Sequence, residues 1–153
     1  MDKMEEKFSL YHGKNVSILE YQVVKLVEDY DNGYAVFLTR QMAVKAGFMC
    51  TDEVMIATAA SELSTNIIRY AGQGEIIISI IKDLNYEKKG IEVYASDSGH
   101  GIRDVKLAMK EKYSSLPNSL GLGLPSVKRI MDEFYIESLL ERGTRVIARK
   151  WIR

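Results

Sequence analysis

Residues 51–72 read TDEVMIATAASELSTNIIRYAG. Ile56, Ala60, Leu63 and Ile67 recur there at spacings of four, three and four, which puts them on one side of a helix. Thr51 is placed to open it. Asp52 and Glu53 supply negative charge to the first turn, where the helix dipole favours it, and Gly72 is a stop. Off the apolar stripe, Glu62 and Asn66 lie four apart, so their side chains project from neighbouring positions on one face. A carboxylate can take a proton from a hydroxyl, and an amide oxygen can ligate Mg2+. Taken alone, the pair reads first as the solvated side of a helix.

Upstream, Tyr34–Ala46 has a second helical pattern closed by Gly47, and the Val-rich Tyr21–Val27 reads as a strand. Residues 1–20 stand apart as an N-terminal extension, with short strands expected at Phe8–Tyr11 and Val16–Leu19 around Gly13-Lys14-Asn15. Downstream, Glu75–Ile81 and Ile91–Ser96 are expected to pair as a hairpin, with Ile91, Val93 and Ala95 on one face. A short helix is expected near Asp104–Lys112 and a loop from Tyr113. A helix should run from Pro125 to about Phe134, burying Leu124, Val127, Met131 and Phe134. Tyr135–Leu140 and Thr144–Ile152 are the final strands. Regular βαβ alternation is missing. The expected fold is therefore α+β: a two-layer sandwich with a mixed, mostly antiparallel sheet and its helices on one face.

A length of 153 residues suits one domain, and 46% hydrophobic against 27% charged residues argues against overall disorder. Twenty-one basic residues balance twenty-one acidic ones, so no global nucleic-acid-binding surface is expected. The basic stretch Arg142, Arg145, Arg149, Lys150 and Arg153 alternates with Val146 and Ala148, as a solvated strand face does. No apolar run reaches the length of a membrane span, and the charged residues at Met1–Lys7 do not lead into a secretory signal. Cys50 is the only cysteine, so an intramolecular disulfide cannot form and a reducing cytoplasm is expected. Cys50 itself reads as a buried or half-buried thiol, and Trp151 as packing for the last strand. With only His12 and His100 besides, a metal would need carboxylate or amide oxygen, the donors of Mg2+.

Two further clusters carry chemistry. Asp97-Ser98-Gly99-His100-Gly101 follows a strand directly. Its glycines let backbone approach a flat ligand, and Asp97 can accept a hydrogen bond from an exocyclic amine. Read alone it is a turn, and His100 a loop residue. Gly121-Leu122-Gly123-Leu124-Pro125 precedes a helix, where backbone amides favour an anion. It lacks the Gly-Lys-Ser/Thr of a Walker A loop.

The order of the three clusters, with Gly143-Thr144 near the end, resembles the Bergerat-type ATP site of the GHKL superfamily, which includes gyrases and histidine kinases. The likeness covers roughly residues 21–153, expected to be the ATP-binding kinase domain. Ser61–Ile67, Asp97–Ile102 and Gly121–Phe134 look like the small stand-alone serine/threonine kinases of bacterial partner-switching, stressosome-type modules. The Leu124-Pro125 pair, Met131–Phe134 and Lys150-Trp151 favour that branch over anti-sigma kinases.

The resemblance implies ATP and Mg2+ as ligands. It makes Glu62 the general base and Asn66 the metal ligand. Asp97 would read the adenine amine, with Gly99 and Gly101 closing the loop over the base. Gly121 and Gly123 would admit the phosphates, Thr144 would join the adenine-side hydrogen bonds, and Tyr113–Leu120 would be the lid. Anti-sigma kinases often carry an arginine where this chain has Ser119, and the nearest upstream cation is Lys112. The implied substrates are STAS-domain proteins, and a PP2C-type phosphatase is an implied further partner. The rival reading is an anti-sigma factor that holds a sigma subunit, with phosphorylation only as its release switch.

Overall fold

The structure is a computed structural model that describes residues 16–110 and 123–153. Five strands form one sheet: β1 (Val16–Leu26), β2 (Gly74–Asp83), β3 (Lys89–Asp97), β4 (Glu133–Leu139) and β5 (Gly143–Trp151). Their order is β1-β2-β3-β5-β4. All four pairings are antiparallel, so the mixed character expected from the sequence is absent among the described strands. The helices are α1 (Asp29–Ala46), α2 (Cys50–Asn66), α3 (Val105–Ala108) and α4 (Leu124–Ile130). The fold is the expected α+β sandwich. Ile76, Ile78 and Ile80 of β2, Ile91, Val93 and Ala95 of β3, and Val146 and Ala148 of β5 join the buried residues of α1, α2 and α4 in one core.

Several boundaries move for local reasons. β1 starts at Val16 and pairs with β2 as far as Asp83, so the division drawn at residue 21 falls inside a strand. The other strand expected in residues 1–20 lies outside the described residues. α1 begins at Asp29 rather than Tyr34. The Asp31 carboxylate accepts the N–H groups of Val27 and Glu28 at 2.8 and 2.9 Å, which satisfies donors that the first turn would otherwise orphan. Gly47 stops this helix as expected. Its left-handed conformation, φ +112°, turns its N–H back to Val44 O at 3.0 Å. Cys50 begins α2 and is exposed, which corrects the buried thiol expected there.

The helix after Pro125 is also shorter than its apolar spacing suggested. Met131 turns to an extended conformation, ψ 152°, and Asp132 N–H donates to Arg149 O at 2.8 Å. Phe134 therefore lies in β4 and packs on the core from a strand, not from a helix.

The far face of the sheet is buried too. Ile77, Tyr94 and Ile147 form a second cluster, and Ile81 is fully buried. Glu92 and Arg149 meet there at 3.0 Å. Burial lowers the Arg149 pKa to about 9. This face is thus no open partner surface at Ile77 or Ile81. The C-terminal basic residues are dispersed: Arg145 pairs with Glu137, Arg153 with Asp132, and Lys150 donates to Ile130 O.

Candidate functional site

Antiparallel register brings distant residues together at one end of the sheet. Ser96 of β3 faces Arg145 of β5, which sets Asp97 beside Thr144. Asp97 Oδ1 accepts the N–H of Gly99 at 2.9 Å and of Thr144 at 3.3 Å. Among the described residues Oδ2 accepts no hydrogen bond. Burial raises the Asp97 pKa, and the two backbone bonds only partly oppose it. The carboxylate is thus held by one oxygen, leaving the other for a donor that enters the cleft.

Asp97 lines a largely apolar pocket with Leu63, Ile67, Ala95, Ile102, Leu124 and Val146, together with Asn66, Tyr70, Ala71, His100, Gly101 and Thr144. Apolar walls with one polar end suit a flat heterocycle. Ser138 ties the polar end together. Its Oγ accepts Ile102 N–H at 2.7 Å and lies 2.7 Å from Thr144 Oγ1.

The glycines allow backbone to pack on backbone. A Cβ on Gly143 would lie 2.0 Å from Asp97 O. On Gly101 it would lie 2.4 Å from Leu139 O, and on Gly99 2.7 Å from Ala71 Cβ. Gly101 lines the pocket, whereas Gly99 fastens the loop to the end of the helix.

That helix end differs from the single helix read from the sequence. After Asn66, residues Ile67–Ala71 widen into a π turn that ends at Gly72, φ +83°. The wide turn places Ile67, Tyr70 and Ala71 along the pocket.

One turn before Asn66, Glu62 leaves the same helix face in the direction of α4. A Cβ on Gly123 would lie 2.1 Å from Glu62 Oε2, so the carboxylate rests against the Gly123 backbone. Gly123 is the N-cap of α4 and adopts φ +67°. Asn66 faces the pocket. A hydroxyl beside Glu62 could lose its proton to it, while the Asn66 amide oxygen could hold a hard cation. No cluster of three or more carboxylate, His or Cys ligands occurs among the described residues, so such an ion would take most of its oxygens from a nucleotide.

All the described candidates thus line a single cleft or pack directly on its rim. Gly121, Ser119, Lys112 and the lid at Tyr113–Leu120 lie outside the described residues. His100 sits at the rim, exposed, 3.3 Å from Glu141, in keeping with a loop residue. Sequence reasoning missed Ser138, Gly143, Tyr70 and Ala71 as site residues. Gly143-Thr144 was a signal for Gly143, but nothing in the sequence marks Ser138 or the π turn.

The family model for the histidine kinase-like ATPase domain matches residues 32–150. The serine/threonine-protein kinase RsbT of Bacillus subtilis (strain 168) is 42% identical over 130 residues, spanning 85% of this chain and 96% of that protein. The anti-sigma F factor of Clostridium novyi (strain NT) is 37% identical over 101 residues, 64% of this chain and 70% of that one. A solved chain from the SiaB–SiaC complex of Pseudomonas aeruginosa shares the fold, with TM-score 0.51, 12% identity and 99% of each chain covered. No described helix is long and apolar enough to cross a membrane.

Proposed function

The chain belongs to the histidine kinase-like ATPase domain family, and from that premise we propose that it is a serine/threonine protein kinase of a partner-switching module. It transfers the ATP γ-phosphoryl group to a hydroxyl on a STAS-domain protein. The observation that carries this reading is one helix face shared by two functions. Asn66 faces the pocket that Asp97 closes, and Glu62 stands one turn away against Gly123. A heterocycle end and a transfer end therefore lie within one cleft.

In this reading the apolar walls hold adenine and Asp97 Oδ2 accepts its amine. Gly123, with Gly121, makes room for the phosphates. Asn66 holds Mg2+, which supplies charge neutralisation as the phosphoryl group transfers. Glu62 takes the proton of the attacking serine or threonine. The bond from the γ-phosphorus to the bridging oxygen breaks as the new P–O bond forms, and ADP leaves. The reaction belongs in the cytoplasm, and release from the phosphorylated partner leaves the kinase free for a PP2C-type phosphatase.

The anti-sigma F relatives favour one rival, a module that holds a sigma subunit. Transfer of labelled phosphate from ATP to purified STAS-domain proteins separates the two readings. Labelling of a STAS serine or threonine is the expected result. Tight sigma-subunit binding with no labelling of any STAS protein would establish the rival instead.

A further inference from the structure

α1 and α2 run side by side, and their outer faces expose an apolar surface that the core does not use. On α1, Tyr30, Tyr34 and Phe37 fall at spacings of four and three, with exposures of 74, 54 and 55%. On α2, Val54 and Met55 are 47 and 41% exposed. Met55, Thr58 and Glu62 recur at spacings of three and four, so Glu62 lies further along the ridge that starts at Met55. The helices are locked in this arrangement near the site. Ser64 Oγ donates to Asn32 Oδ1, Asn32 Nδ2 lies 3.5 Å from Ser61 Oγ, and Arg40 pairs with Glu53 at 3.0 Å.

We infer that this α1–α2 face is the docking surface for the acceptor protein, which seats there and so delivers its hydroxyl to Glu62. The inference rests on the kinase reading and names the surface that serves it. A base for a protein hydroxyl needs a protein surface beside it, because its substrate is too large to enter the cleft. The exposed aromatic residues form a patch of the composition that interface centres favour. Its α1 end carries Glu28, Asp29 and Asp31, while Arg40 is neutralised by Glu53. The complementary partner is therefore a protein with an apolar patch and a basic fringe next to its acceptor serine or threonine.

The test uses Phe37→Asp and Met55→Asp in the full chain, with each STAS-domain protein of the source genome as purified acceptor. Neither residue belongs to the core, and neither lines the nucleotide pocket. Each variant should raise the KM for the acceptor about tenfold or more and leave the Kd for ATP unchanged. Tyr34→Phe, which keeps the ring, should stay near wild type. Wild-type KM values in both Asp variants would overturn the docking surface and leave the kinase reading standing. A wild-type dimer that Phe37→Asp dissociates, with transfer unaffected, would assign the face to a second copy. If wild type labels none of the acceptors, the kinase reading fails and the docking surface fails with it.

Discussion

The two ends of the cleft are built differently. At the heterocycle end, Asp97, Thr144, Ser138 and Ile102 are tied together by backbone and hydroxyl hydrogen bonds at a junction of β3, β4 and β5. At the transfer end, Glu62 stands on α2 and is placed by packing against one glycine. The first end is fixed by sheet register and the second by helix periodicity. The polar end of the pocket is thus prearranged, whereas the position of the Glu62 carboxylate depends on space left by Gly123. Damage to either end should show in a different measurement.

The largest effect is expected from Gly123→Ala. The new methyl would fall 2.1 Å from Glu62 Oε2, at a φ of +67° that L-residues adopt at a cost of about 1–2 kcal/mol. Transfer should fall about a hundredfold, a loss of roughly 3 kcal/mol from the transition state, while adenosine binding at the other end stays near normal. Wild-type turnover in this variant would separate Glu62 from the reaction.

Asp97→Asn comes next and acts on the other end. Losing a charge-assisted bond to the adenine amine should weaken ATP by about tenfold to a hundredfold. The same change should slightly stabilise the free protein at neutral pH. The sign follows from the raised pKa of Asp97. The folded state binds its proton more readily than the unfolded chain does, so this group loses stability as pH rises from the unfolded value through the folded one. Asn removes that loss and can still accept from Gly99 and Thr144. Thermal melts across pH would check this, with the gap between variant and wild type closing below the carboxylate range. Equal ATP affinities would remove Asp97 from recognition.

Asn66→Ala should give a smaller effect that is selective for the metal. Mg·ATP should weaken about tenfold, and metal-free ATP by less than about twofold. Titrations with and without Mg2+ measure the difference, and equal losses would take the metal from Asn66.

The contrast between the ends also explains what the sequence disclosed. Glu62 and Asn66 were legible because four residues make about one helical turn. Asp97 was legible because it follows a strand and precedes two glycines. Ser138 was not, because its role depends on β4 pairing with β5 and on β5 lying beside β3, relations that local spacing does not encode. The π turn was hidden because Ile67–Ala71 continue an apolar pattern that an ordinary helix would satisfy equally. Phe134 misled for a related reason: positions 124, 127, 131 and 134 fit a helical stripe, yet Asp132 starts pairing to Arg149 and the chain becomes a strand. The burial of Ile77, Tyr94 and Ile147 on the far face of the sheet is a tertiary fact that local spacing does not encode either.

The central claim is that Glu62 takes the proton from a protein hydroxyl during phosphoryl transfer. Its most direct test is single-turnover transfer from labelled ATP to the cognate STAS-domain protein, comparing wild type with Glu62→Gln. Gln keeps the size and helix propensity of Glu and removes only the base. General-base assistance contributes about 10²–10⁴ in rate, so the variant should bind Mg·ATP and the acceptor normally yet transfer at least about a hundredfold more slowly. Transfer by Glu62→Gln at the wild-type rate would contradict the account.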